Sequence, residues 1–124
     1  MKSYTDLEQS KKLAEILPLE SADMWYPGDD EDDIECGFGD IQQELYINYG
    51  DGHPCWSLAA LLSVIPKHIK DYNVLRIDIG ENDFAIWYDE IGYGVNRELP
   101  NIEMKEPVDA CVEMILKLKE KNQI

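Results

Sequence analysis

The order of patterns along the chain predicts an α+β domain: a small antiparallel sheet of three to four strands with about three helices packed on one face. Three observations carry this. The stretches "ELYINYG" and "VLRIDIG" alternate apolar and polar residues at the period of a strand, and "FAIWY" follows the second through the turn-rich "GEND", as in a hairpin. Residues 6–17 and the segment opened by Pro107 repeat apolar residues at helical spacing. The length, 124 residues, fits one domain, 1–124, with a core that needs no metal or disulfide.

Taken in order, Thr5 followed by Glu8 has capping-box spacing, and Leu7, Leu13, Ala14, Ile16 and Leu17 form a stripe that Pro18 ends. Residues 18–40 hold Pro27, three glycines and "DDEDD", with too little apolar content for a regular element; they read as an acidic loop, mobile across 27–33 in the isolated protein. "ELYINYG" is the first strand. "CWSLAALLSVI" reads as a helix apolar on most sides, hence buried, and ended by Pro66. After the hairpin, "IGYGV" adds a short strand weakened by its two glycines. Pro107 opens the last helix where a missing N–H costs nothing, and Val108, Cys111, Val112, Ile115 and Leu118 mark its inner face. Lys117, Lys119 and Lys121 suit its negative C-terminal end. Trp56, Phe84 and Trp87 fall at positions that core packing explains without a ligand.

The formal net charge is −15, and the acids are not spread evenly. Between Lys12 and Lys67 there is no lysine or arginine, yet twelve acids fall there, among them Asp29, Asp30, Glu31, Asp32, Asp33 and Glu35. Direct nucleic-acid binding is disfavoured, since phosphate contacts need Lys and Arg to release counterions. A basic protein surface would be attracted instead. The longest apolar run, Leu58 to Leu62, is far too short for a membrane span, and the charged N-terminus has no signal-peptide pattern. Cys36, Cys55 and Cys111 are an odd number without CxxC spacing, so no disulfide framework or structural zinc site is suggested and a reducing cytoplasm is the simplest setting.

Cys55 is the candidate nucleophile. In the first turn of a helix a thiol would feel unpaired N–H groups, which lower its pKa. "CWSLAA" resembles the start of the nucleophile helix of papain-like cysteine proteases, which also place a glutamine upstream and a histidine and asparagine far downstream. Here Tyr49 holds the upstream place, and the available bases are His53, two residues before Cys55, and His68, beyond the far end of the helix. The alternative is a buried, inert cysteine. "HPC" is similar to one half of the zinc-deaminase signature, but position 58 is Leu58 where that signature needs a second cysteine, and Phe38 follows Cys36 where it needs a glutamate. "GDDEDDIECGFGD" does not keep the EF-hand pattern, and "GFGD" and "GYGV" lack a phosphate-loop context. No metal site and no cofactor is assigned.

The strings "LEQSKKLAEILPLESADMWY", "PCWSLAALLSVIP" and "PVDACVEMILKLKEK" together resemble a group of small acidic proteins encoded on phages and mobile elements of gut bacteria. The resemblance implies a similar fold and a setting of conflict between mobile elements and hosts, and it transfers no catalytic or binding residue. The expectation is therefore a non-enzymatic acidic binding protein that occupies a basic surface of a partner, such as the nucleic-acid channel of a host defence enzyme, and inhibits it. Alternatives are an immunity or accessory protein that neutralises a cationic toxin, and a small cysteine-dependent enzyme using Cys55. The expected contact residues are Trp25 and Tyr26, as aromatic anchors, with Asp29, Asp30, Glu31, Asp32, Asp33 and Glu35. Packing of the two aromatic rings against the core is the competing expectation.

Overall fold

The computed structural model of the chain describes residues 2–28, the backbone of 35–36, and residues 52–124. The expected strand "ELYINYG" and the acidic residues 29–33 lie outside the described residues. The class is α+β; among the described residues every strand pair is antiparallel, and the strands are shared between a three-stranded and a five-stranded sheet. Contacts within the chain gather into two compact units, Ser3–Ser63 and Met1–Lys2 with Val64–Ile124, a finer division than the single domain that length predicts.

In Ser3–Ser63, helix α1 spans Leu7–Ala14, and its cap is one residue later than the sequence suggests. The Asp6 carboxylate accepts the Gln9 N–H at 2.8 Å, while the Gln9 side-chain oxygen accepts the Asp6 N–H at 3.0 Å, a reciprocal capping box. The helix is shorter than 6–17, because residues 15–17 tighten into turns, with the Ile16 and Leu17 N–H groups both on the Leu13 carbonyl. Its buried face is Leu7, Ser10 and Leu13. A short 3-10 turn, Leu19–Ser21, leads to β1, Met24–Tyr26. The expected loop 18–40 therefore contains strand structure: β1 pairs with β2, Glu35–Cys36, and with β3, His53–Cys55, in the order β2-β1-β3. Pro54 is tolerated in β3 because that strand is at the sheet's edge among the described residues. Gly52, at φ +84°, passes so close to the Trp25 ring and the Tyr26 carbonyl that a Cβ there would collide with both.

Helix α2, Leu58–Val64, starts three residues after Cys55, which corrects the expected helix over "CWSLAALLSVI". Ser57 is what starts it. Its Oγ accepts the Ala60 N–H at 3.2 Å, and the Asp23 carboxylate holds the Ser57 N–H at 2.9 Å and the hydroxyl at 2.5 Å.

In the second unit, β4 (His68–Ile69), β5 (Asn73–Ile79), β6 (Phe84–Glu90) and β7 (Gly94–Val95) lie in that order, and β8 (Ile102–Met104) also pairs with β6. The β5–β6 hairpin has the expected extent, with Ile79 opposite Phe84 and Asn73 opposite Glu90. Helix α3, Pro107–Glu120, packs on β6 and β8, with Val108, Cys111, Val112, Ile115 and Leu118 buried as its spacing predicts. Phe84, Ile86 and Tyr88 face inward from β6, and the Tyr88 hydroxyl donates to the Pro66 carbonyl at 2.6 Å. On β5 the expected apolar stripe is not covered throughout: Ile77 and Ile79 are exposed.

Candidate functional site

Two groups of polar side chains stand out, one in each unit, and their chemistry is opposite. The first surrounds Cys55. Thr5, displaced from capping by Asp6, is fully buried, and its hydroxyl lies 2.8 Å from the Ser10 hydroxyl, 3.1 Å from the Trp56 N–H it accepts, and 3.4 Å from the Cys55 Sγ. The Tyr26 hydroxyl donates to the Thr5 carbonyl at 2.7 Å, and the thiol points at the same carbonyl at 3.4 Å. Leu7, Tyr26 and Cys55, with Tyr4 and Met24, close an apolar shell around this cluster.

That geometry decides the chemistry of Cys55. The residue ends a strand three residues before α2 begins, so it is not in the first turn of that helix. Burial pushes its thiol pKa up; hydrogen bonds from Thr5, Ser10 and Tyr26 act the other way without outweighing burial, and the Asp23 charge adds to the rise. A thiol held neutral and out of contact with solvent is a poor nucleophile. His53 lies two residues earlier on the same short strand, and His68 is exposed on β4. Cys111 is likewise buried, with its pKa raised to about 12 by burial, the Lys67 charge acting weakly against it.

Of the expected contact residues, Trp25 and Tyr26 are buried, at 7% and 1% exposure, so both rings are committed to packing on β1. Glu35 is on β2, its backbone opposite Trp25. Asp29, Asp30, Glu31, Asp32 and Asp33 lie outside the described residues.

The second group sits at the turn end of the β5–β6 hairpin. Asp78 on β5 is opposite Ala85 on β6, and Ala85 is opposite Glu103 on β8, so the two carboxylates share one face across three strands. Asp83, in the turn, can accept a hydrogen bond from Glu103 when Glu103 is protonated. Glu103 is held above its ordinary value by that bond and by the Asp83 charge, with a smaller contribution from Asp78. Further along the same face Asp89 is satisfied: it accepts from the Trp87 indole at 2.8 Å and from Arg76 at 3.3 Å. Asp78, Asp83 and Glu103 have no such partner, since no lysine or arginine of the described residues is within ion-pair distance of them. Sequence reading misses this set because it joins positions 78, 83 and 103 through β8, a three-residue strand.

At the opposite, open end of the hairpin is a groove of about 620 Å³. Lys70, Arg97 and Lys121 line it beside Glu90 and Glu98, and among the described residues none of the three cations is in an ion pair. The turn end thus carries Asp78, Asp83 and Glu103 with Lys105 nearby, and the open end carries cations and carboxylates together. Among the described residues no group of three or more His, Cys, Asp or Glu is placed to hold a metal ion, and no helix is long and apolar enough to cross a membrane. Compared with protein-family models, curated proteins and solved structures, the chain matches none of them.

Proposed function

We propose that this chain is a non-enzymatic acidic binding protein that occupies a basic surface of a partner protein, in the role of a phage or mobile-element inhibitor of a host enzyme that handles nucleic acid. The observation that carries the reading is the cost the molecule bears to keep carboxylates together. In sequence, twelve acids fall between Lys12 and Lys67 without one lysine or arginine. In space, Asp83 and Asp78 raise the Glu103 pKa, and among the described residues no lysine or arginine forms an ion pair with the three. Like charges held together are destabilising in the free protein and become favourable when a partner supplies the cations. A surface of this kind offers carboxylates where a basic channel expects phosphates. The alternative built on Cys55 loses its physical support, because burial keeps that thiol neutral.

The test is a capture from host lysate at low salt, followed by salt elution, identification of the partner and measurement of its nucleic-acid binding with the chain added. The expected partner is basic, loses nucleic-acid binding in proportion to the chain added, and associates more slowly with a variant in which Asp29, Asp30, Glu31, Asp32 and Asp33 are replaced by Asn or Gln. A partner whose association is indifferent both to salt and to that neutralisation would overturn the proposal.

A further inference from the structure

Asn73 holds donors that it does not use. The residue is 2% exposed, on β5 between β4 and β6, and its side-chain oxygen accepts from the Asn96 amide nitrogen at 2.7 Å. The orientation of both amides is fixed, because the Asn96 oxygen is turned the other way to accept the Glu98 N–H at 2.9 Å. The Asn73 NH2 group is left with no acceptor among the described residues, and Asn73 belongs to the wall of the 620 Å³ groove. A buried polar group without a partner is rare in a folded protein. Opposite Asn73 on β6 is Glu90, whose carboxylate has neither a hydrogen bond nor an ion pair among the described residues. The Ile91 N–H bonds the Tyr72 carbonyl at 2.8 Å, which makes Asn73 and Glu90 a non-hydrogen-bonded pair of the ladder, with Cα atoms about 4.5 Å apart and side chains on one face. An unused donor and an unused acceptor therefore stand side by side.

We propose that this groove binds a small zwitterion, an α-amino acid with an apolar side chain. Such a molecule carries its ammonium and its carboxylate on one carbon, so a donor and an acceptor that face each other across one strand pair can take both. The ligand carboxylate accepts from the Asn73 NH2 group and is neutralised by the cations of the groove, Lys70, Arg97 and Lys121, while the ammonium donates to Glu90. The mixed charge of the groove selects this class. A simple anion would meet Glu90 and Glu98 along with the three cations, and a simple cation would meet the cations along with the two acids, whereas a zwitterion is attracted by both signs. Tyr72 and Val95, 44% and 45% exposed, line the same groove, and an apolar ligand side chain covers them. The volume lies in the range of small-molecule sites, which join apolar walls to a few placed polar groups.

Amide NMR of the isotopically labelled chain tests this, with L-leucine and L-phenylalanine as probes at up to about 10 mM. The expected result is a saturable shift of the Asn73 and Asn96 side-chain amide signals, with the Ser10 signal on α1 unmoved. N-Acetyl-L-phenylalanine keeps the carboxylate and lacks the ammonium, and L-phenylalaninamide keeps the ammonium and lacks the carboxylate; each is expected to bind about tenfold more weakly or worse. Glu90→Gln, which removes a charge that no described residue pairs with, is expected to weaken amino-acid binding by a similar factor, and its amide spectrum establishes that it is folded. Arg97→Gln, at an exposed position, is a second variant that leaves the sheet untouched, and it too is expected to bind more weakly. No saturable shift with either amino acid, equal binding of the N-acetyl derivative, or wild-type affinity in both variants would each overturn the proposal.

Discussion

The cluster around Thr5 and the carboxylates at the β5–β6 turn are both made of polar side chains in contact, and they behave as opposites. Around Thr5 each donor has an acceptor: Trp56 N–H and Ser10 on the hydroxyl, Tyr26 and the Cys55 thiol on the carbonyl. Water is excluded, and the polar groups are satisfied within the protein. At the turn, Asp78, Asp83 and Glu103 lie open to solvent and bring acceptors to acceptors, and Glu103 holds a proton more tightly than a lone carboxylate would. A satisfied buried network specifies a fold. An unsatisfied exposed one keeps its interaction capacity for something else. Titratable groups in the first are thus structural, whatever their reactivity suggests on paper, and those in the second are available to a partner.

The contrast breaks most visibly at Thr5. Thr5→Val keeps the side-chain shape but removes the hydroxyl that the Trp56 N–H and Ser10 rely on, leaving buried groups unpaired, and is expected to destabilise the protein by about 1–3 kcal/mol in urea unfolding. Thr5→Ser, which keeps the oxygen, is expected to lose less. Equal and negligible losses would mean that the hydroxyl is not used. Tyr26→Phe removes the hydroxyl that donates to the Thr5 carbonyl, which retains the weaker thiol contact, so its expected cost is smaller, about 1 kcal/mol.

The position of Thr5 also shows how far the sequence could be read. "TDLEQ" contains two overlapping capping boxes, Thr5 with Glu8 and Asp6 with Gln9, and local chemistry ranks them equally. The choice falls to Asp6 because Thr5 is needed by Trp56, fifty-one residues away, and no local pattern carries that information. For the same reason β1 and β3 are invisible: three residues each, one containing Pro54, they are strands by virtue of pairing with each other across a long separation. The β5–β6 hairpin and α3 are legible because their partners are near in sequence or their periodicity is long. The Cys55 question turned on three residues, since the helix begins at Leu58 behind its Ser57 cap. The turn carboxylates were out of reach for want of β8, a strand recognisable only beside β6.

Reactivity and titration sharpen the comparison at smaller amplitude. Cys55 and Cys111 are expected to resist iodoacetamide in the folded protein at neutral pH and to react on unfolding, and Cys55→Ala is expected to cost only modest stability. Rapid labelling of native Cys55 would return it to the list of nucleophiles. For Cys111 the folded pKa, about 12, lies above the ordinary 9.0. A raised value means that the folded state holds the proton more tightly, so the contribution is fully present below pH 9 and is lost as pH rises toward 12. Alkaline unfolding midpoints should therefore shift upward in Cys111→Ala relative to its own neutral stability.

The smallest effect is expected at Glu103, and its sign is the informative part. Its pKa is raised above the ordinary 4.5 by Asp83 first and Asp78 after it, so the folded protein binds this proton more tightly than the unfolded chain does. The resulting stability is present below pH 4.5 and is lost as pH rises through the folded value; at neutral pH the ionised group remains as a net repulsion. Glu103→Gln removes that charge while leaving an amide to meet Asp83. The variant should melt slightly higher than wild type at pH 7, by an amount that shrinks with added salt, because the group is open to solvent and its neighbours are screened. Below pH 4 the difference should vanish. The opposite sign at pH 7, a variant less stable than wild type, would mean that Glu103 already has a cation within the protein, and the hairpin turn would then belong with the Thr5 cluster as structure rather than with surfaces that await a basic partner.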